Sequence, residues 1–550
     1  MRTLIIFFVL ALTFYGHWAA AQHPHGGATT QPVVELHPGL GNYQHPITTK
    51  NADAQTHFNQ GLILLYGFNH DEAARHFRRA TELDPEAAMA YWGLALAIGP
   101  NYNDTAVDEN RAKNTYDAVR KALQNAPKTS DREQHYIQAL AKRYPTSNAK
   151  SDWKRFHLDY SKAMRSLVRK FPDDLDAATM FAESLMMLRP WQLWTRDGKP
   201  APGTLELVAV LESVLKRNPD HPGANHFYIH AVEASHNLER AVPSAMRLMT
   251  LVPGTGHLVH MPGHIFLQTG DYELAAKTNV NAAAADKAFV QRTGATGVYP
   301  LMYWTHNIHF IAYARAQQGR YDEARQAAQE MAQNVGDADL KMQMLEGFHL
   351  YPLMVDLRFH RWDDILRAPE PAPERKLQRA FRAYARAMAL ATQGKVIDAA
   401  AERQQYESLR KALPVDSQFL INNKSSDILA LAAATLNAQL AAARSEAPKA
   451  IQEWRRAIEL EAKIQYDEPP AWFYPVRQSL AAALLRSGKA KEAEAVFREA
   501  IAKQPRDGRL LFGLWQSLIA QKRESEAALV GQQFNAAWKD ATIKLTIEDL

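Results

Sequence analysis

The chain has no cysteine in 550 residues. Disulfides, thiolate metal ligands and lipid attachment through cysteine are therefore excluded, and any metal must be held by histidine, carboxylate or amide oxygen. Beyond residues 4–12, LIIFFVLAL, no stretch approaches 18 uninterrupted apolar residues, so no later membrane span is expected. There is no dense basic tract either: the net charge of +5 comes from Lys and Arg interleaved with Glu and Asp, which argues against a nucleic-acid surface. Alternating apolar and polar runs of the strand type are missing, and Ala-rich helical periods fill the space, so the fold class is all-α. HExxH, GxSxG and P-loop patterns are absent as well, which removes the usual signatures of zinc proteases, serine hydrolases and nucleotide-binding enzymes.

What is present begins with Arg2, the apolar run and the small residues Ala19, Ala20 and Ala21. Residues 1–21 read as a secretory signal, with a mature chain starting near Gln22 and a periplasmic or secreted protein; an uncleaved anchor is the alternative. Residues 22–50 mix Pro, Gly, Thr and His without a helical period and read as a leader, ordered on contact or flexible. His23 and His25 lie near the expected new terminus, where an amine and imidazoles can chelate copper, but a solvated tail is the preferred reading, and Pro24 blocks an amide ligand.

From Ala54 the pattern turns helical. Gly61, Ala73, Phe77, Ala80 and Pro85, and again Gly488, Ala493, Phe497, Ala500 and Pro505, follow the order small, small, aromatic, small, breaker. GDYELAA from Gly270 and GRYDEA from Gly319 carry turns between paired helices. On these residues the chain resembles the tetratricopeptide-repeat (TPR) family, which implies a right-handed α-solenoid of nine to eleven antiparallel hairpins. The expected division is N-terminal repeats over 51–125, degenerate repeats with a Trp/Pro loop over 126–220, central repeats over 221–335, degenerate repeats over 336–424 and C-terminal repeats over 425–550. Three segments fit no hairpin: RPWQLWTRDGKPAPGT from Arg189, AFVQRTGATGVYPLMYW from Ala288 and YDEPPAWFYPVRQSL from Tyr466. Such departures are where a repeat scaffold acquires function or simply bends. Together with HPGANHFYIHAVEAS, GHLVHMPGHIF and YPLMYWTHNIHF, they make the chain similar to a group of exported bacterial TPR proteins, a resemblance that implies architecture and no activity.

Histidines then recur with the repeat. His226 and His260 stand 34 residues apart, as do His230 and His264, and His257 and His260 recur 49 residues later as His306 and His309. In TPR proteins the first helix of each hairpin lines the concave groove. In that register the groove places hold Gly223, His226, His230 and Glu233, then His257, His260, His264 and Leu267, then His306, His309, Tyr313 and Ala316. Seven of these twelve places are His, where composition alone would supply fewer than one. Residues four apart share a helix face, so each i,i+4 pair presents two imidazoles to one ion, and neighbouring helices are close enough to complete a set.

The expectation is a divalent transition metal, Zn, Cu or Fe, held by His226, His230, His257, His260, His264, His306 and His309, with Glu233 as a general base or as a carboxylate orienting a ligand. The site either carries metal-dependent chemistry, as a hydrolase or an oxidase, on a small molecule, or holds metal structurally. An imidazole-lined pocket for an anionic ligand or peptide terminus, and plain structural hydrogen bonding, are the other readings of the same residues; His236 and His349 read as structural. If the superhelix curls back, Trp191, Trp194, Glu468, Trp472, Tyr474 and Arg477 form a wall opposite the histidines, with Tyr313 beside them and Arg477 clamping a carboxylate or phosphate. The competing class is a metal-free periplasmic scaffold gripping a protein or peptide segment.

Overall fold

The structure is a computed structural model and describes residues 34–550, so the signal reading and His23 and His25 lie outside the described residues. The first hairpin shows why this sequence pairs helices. Asn51 caps Ala52–Tyr66 by accepting from the amides of Asp53 and Ala54, and His70–Leu83 returns antiparallel after a short turn. Phe77 is fully buried between Gly61 and Gly93, where a Cβ would stand 2.9 Å and 2.4 Å from its ring. The small residues thus let the aromatic knob of one helix seat against its own partner and against the next hairpin. Phe497 repeats the arrangement on Gly513, where a Cβ would come within 2.1 Å.

Hairpins continue in this way to Gly508–Ala520 and Glu524–Ala537, twelve helix pairs among the described residues and one more than the upper end of the expected range. The chain is thus an all-α, TPR-like solenoid, and one apolar core runs from Leu40 to Leu550. Strand is limited, among the described residues, to the two-residue pair Gln418–Phe419 and Asn423–Lys424. Ser425–Ala443 is the one described helix long and apolar enough to cross a membrane, and it packs inside the solenoid against Lys376–Thr392 and Ala447–Glu461.

Two irregularities bear on the histidines. Pro262 lacks an N–H and splits what would be one helix into Gly256–His260 and Pro262–Thr269, between His260 and His264. The extra residues of the central repeats lengthen Tyr272–Thr293 to 22 residues and wind Tyr299–Trp304 into a π turn leading into Thr305–Gln317.

The solenoid closes on itself. Arg196, in the Trp-rich loop, donates to the carbonyls of Ala462 (2.8 Å) and Lys463. Gln268 donates to Tyr466 Oη (3.0 Å) and Glu468 Oε1 (2.6 Å), Arg506 pairs with Asp271, and the Thr542 amide donates to Gly319 O (3.0 Å).

At the other end residues 34–50 are held down, with His37, Leu40 and His45 buried. Asp176 anchors this strap: it accepts from Tyr43 Oη (2.9 Å), Tyr66 Oη (2.5 Å) and His45 Nδ1 (2.6 Å), with His221 Nε2 at 3.3 Å. Burial raises its carboxyl, but the His221 and His45 hydrogen bonds outweigh that and hold it well below the usual carboxylate range. Asp176→Asn keeps the shape and removes the charge, so it is expected to cost about 1.5–3 kcal/mol, the worth of a charged hydrogen bond. Limited proteolysis checks this: cleavage within 34–50 should accelerate while the helical core persists, and unchanged cleavage would refute the anchor.

Candidate metal centre

His226 and His230 lie one turn apart on Pro222–Val232, whose Gly223 admits the Tyr66 ring where a Cβ would stand 2.3 Å away. That close approach brings the Tyr66 carbonyl to His226 Nδ1 at 2.5 Å. His230 Nδ1 donates to Glu233 Oε1 (2.9 Å), and His264 Nδ1 donates to Glu233 Oε2 (2.6 Å). One carboxylate therefore orients an imidazole from each of two consecutive repeats. His260 Nδ1 meets Asn279 Oδ1 at 2.7 Å, and the Asn279 amide nitrogen donates to Ala275 O (2.8 Å), which identifies the oxygen as the atom facing His260.

With their Nδ1 hydrogens committed, these imidazoles turn Nε2 inward. His260 Nε2 and His264 Nε2 stand 2.8 Å apart, two lone pairs facing each other. His226 Nε2, His230 Nε2 and both nitrogens of His257 are buried without a protein partner. Groups of three potential ligands with donor atoms within 4.8 Å of one another form at His226, His230 and His257, at His260, His264 and His306, and at His230, Glu233 and His264.

Burial, followed by the repulsion of neighbouring imidazoles, holds His226, His257 and His260 well below the ordinary histidine range. Burial alone takes His309 down to about 3. These rings are neutral at physiological pH, the form that ligates. Burial and the charge of Glu233 push Glu468 well above the carboxylate range, whereas the His264 and His230 imidazoles outweigh burial at Glu233 and keep it ionised. The pair thus offers one carboxylate and one carboxylic acid, with Glu468 Oε2 at 4.0 Å from His264 Nδ1.

The groove expectation needs correcting. His226, His230, His257, His260, His264 and His309 are 0–3% exposed, so the histidines sit inside the molecule rather than along an open concave face. The cover comes from far along the chain. Phe68, in a left-handed conformation, packs its ring 4.5 Å from His226 and stacks on His257 at 5.3 Å and His230 at 5.8 Å. Tyr102 lies 5.5 Å from His230, and Tyr303, from the π turn, stands edge-on to His257 at 5.0 Å.

Of the residues expected opposite the histidines, Trp191 arrives 5.8 Å from the His230 ring, and Trp194 donates to Ala231 O on the same helix (2.7 Å). Glu468 and Tyr313 border a cavity of about 250 Å³ that also takes in Gln268, Tyr272, Trp472 and Tyr474 and begins one helical turn past His264. Trp472 belongs as much to the C-terminal core, packing on Phe381 and Tyr384. Arg477 does not reach the centre: it pairs with Glu499 (2.9 Å) and Glu461 (3.6 Å), which correct its assignment as an anion clamp. Arg358 lines a second cavity, about 300 Å³, that shares Tyr474 with the first. His309 also stands apart, 6.4 Å from His306 and turned toward Tyr351 at 4.3 Å. His236 bonds Asp197 O in the Trp-rich loop, and His349 bonds Gly336 O at the end of Tyr321–Val335.

Phe68, Tyr66, Tyr102, Asn279 and Gln268 lay outside the sequence reading. None is a metal-ligand type at repeat spacing, and only the folded path brings them in.

His37, Glu72 and His76 form a further group with ligand-type spacing. Here Arg292 donates to His37 Nδ1 (3.0 Å) and His37 Nε2 donates to Glu72 (2.8 Å), which also pairs with Arg75 (2.8 Å). His37 has no free lone pair and two guanidiniums already neutralise the site, so it is a structural link between the strap and the first repeats.

Among known proteins, residues 54–87 match the family model of the tetratricopeptide repeat. No curated protein matches the sequence. Among solved structures, the crystal structure of the APC/C hetero-tetramer Cut9–Hcn1 is similar at 13% identity and a TM-score of 0.30, covering 90% of this chain and 76% of that one. Yeast Tom70 is similar at 11% identity and a TM-score of 0.30, covering 88% and 93%.

Proposed function

We propose that this TPR-like solenoid is a metal-dependent protein, whose buried histidine centre binds a first-row transition ion and acts on a small molecule received in the adjoining cavity. The observation that carries the reading is the 2.8 Å approach of His260 Nε2 to His264 Nε2. Both rings spend their Nδ1 hydrogen on an oxygen acceptor, Asn279 in one case and Glu233 in the other, so two lone pairs face each other in a buried site. Such a contact is repulsive unless a cation lies between or beside the nitrogens. A shared proton is the weaker candidate, because burial and neighbouring imidazoles lower the proton affinity of both rings. All-imidazole ligation without thiolate suits Zn, Cu or Fe.

Glu233, Asn279 and the Tyr66 carbonyl would fix the tautomers and aim Nε2 inward, as acceptors behind metal-bound histidines generally do. Bound there, the ion would supply Lewis acidity or activate an oxygen ligand, which fits hydrolytic and oxidative chemistry alike. Gln268 and Glu468 border both the centre and the cavity and would orient a polar group of the substrate. The aromatic walls Tyr272, Tyr313, Trp472 and Tyr474 favour a compact, partly apolar molecule. A metal-free peptide scaffold fits less well, since the histidines are covered by Phe68, Tyr102 and Tyr303 and offer a peptide no surface.

Elemental analysis of untagged protein, purified without chelators, tests the reading. Near-stoichiometric Zn, Cu or Fe is expected, and His260→Gln or His264→Gln should each lower the content by about one ion per chain. Gln is chosen over Ala because these rings are buried and truncation would open a cavity. No metal as isolated, and none after reconstitution with each of the three ions, would overturn the proposal.

A further inference from the structure

We infer that the centre is built for two ions, in a pair of three-imidazole sites that the repeat itself generates. The inference rests on the metal reading above and adds number and arrangement to it. The first site is His226, His230 and His257, and the second is His260, His264 and His306. Each combines an i,i+4 pair from the first arm of one hairpin, continuous in the first site and broken at Pro262 in the second, with the first-turn histidine of the next hairpin's first arm.

The two triangles have the same shape. In the first, the ring centroids are 4.9, 4.9 and 6.3 Å apart; in the second, 4.7, 4.8 and 5.9 Å. They lie against each other along two contacts of 5.5 Å (His257–His260) and 5.6 Å (His230–His264). One repeat step carries the first pair onto the second, and the third ligand follows 49 residues on because the inserted π-turn segment precedes it.

The series then stops for a visible reason. One more step gives His309 with Tyr313 in place of a second histidine, and the next hairpin, Glu346–Arg358, begins Glu-Gly-Phe, so Phe348 rather than a histidine meets the His309 ring at 5.7 Å.

Counting nitrogens argues against a single ion. A tetrahedral ion with bonds of roughly 2.0–2.1 Å takes four ligands at most, and the imidazole donors that lie within 4.8 Å of one another gather as two sets of three, one in each triangle, rather than as one set of six that a six-coordinate ion would need. The partnerless nitrogens occur in both triangles' own terms: His226, His230 and His257 in the first, and the facing His260 and His264 pair in the second. Glu233 joins the two, with Oε1 on His230 and Oε2 on His264, so a single carboxylate holds one ligand of each ion. Two divalent charges against the single carboxylate of Glu233, with Glu468 held as the acid, leave the pair net positive, which favours a substrate that brings an oxygen anion between them.

The experiment is stoichiometry on the full chain. Protein stripped with chelator, reconstituted separately with Cu(II) and Zn(II) and desalted is expected to retain two ions per chain of at least one metal. His226→Gln and His257→Gln should each retain one ion, as should His260→Gln and His306→Gln, whereas His309→Gln should retain two. In the copper form, the integrated paramagnetic resonance signal should fall below total copper in the parent chain and equal it in the one-ion variants. One ion per chain in the parent would overturn the pair and leave the metal reading standing, and no ion with either metal, nor with Fe(II) loaded in the same way, would overturn both. The parent stoichiometry decides these outcomes even where a variant fails to fold.

Discussion

Metal-free protein is expected to lose stability steeply as the pH falls below about 6.5, the value of a histidine in an unfolded chain. In the folded chain His226, His257 and His260 lie well below that value and His309 lies at about 3. Between the folded and unfolded values the unfolded chain binds more protons, so stability rises with pH; the contribution is complete above about 6.5 and is lost as the pH falls toward the folded-state values. One pH unit below the unfolded value costs each such group roughly 1.4 kcal/mol, and four of them together about 6 kcal/mol. That is comparable with the whole stability of an ordinary domain, about 5–15 kcal/mol. Thermal unfolding of chelator-treated protein from pH 7.5 to 5 is therefore expected to show a collapse centred near pH 5.5. A saturating ion should move the collapse to lower pH, because proton and metal compete for the same nitrogens. A melting temperature that stays level from pH 7.5 to 5 would refute the buried, neutral cluster.

The same burial marks where the sequence could be read and where it could not. The repeat was legible because its signals are local: Gly61 and Gly93 exist to receive Phe77, and the 34-residue spacing survives in His226 and His260 without any knowledge of the fold. Six histidines and Glu233 could be grouped for that reason, since consecutive hairpins must stack their first helices. His309 was grouped by the same rule and stands outside, because the rule says nothing of the neighbouring ring, and Phe348 with Tyr351 claims it.

What no spacing could reveal is closure. Phe68 lies more than 150 residues from His226, Tyr466 nearly 200 from Gln268, and Arg196 some 266 from Ala462, yet these contacts turn an open groove into an interior. A solenoid's twist per repeat decides such meetings, and small rotations accumulated over twelve hairpins are not written in any one of them. Arg477 illustrates the limit: its position on the irregular Tyr466–Leu480 stretch suggested a role at the centre, whereas local partners Glu461 and Glu499 hold it elsewhere.

Phe497→Ala is expected to cost about 3–5 kcal/mol, the range for truncating a fully buried aromatic. Its ring is 0% exposed and fills the place above Gly513 that a Cβ would enter to within 2.1 Å. Gly513→Val errs in the opposite sense by overpacking the same point, and should cost about 1–3 kcal/mol alone. Combined, the two changes partly compensate, since the valine methyls occupy space the ring has vacated; the double variant should be destabilised by less than the sum of the singles. Urea unfolding followed by circular dichroism measures all three, and strictly additive costs would refute the contact. Metal content separates this from the centre. The Phe497 hairpin, Val476–Arg486 with Ala490–Lys503, carries none of the centre's histidines, so protein that remains folded should keep its ions, whereas His264→Gln should lose ion and keep its hairpins. The two variants thereby distinguish the scaffold's energetics from the site that its closure buries.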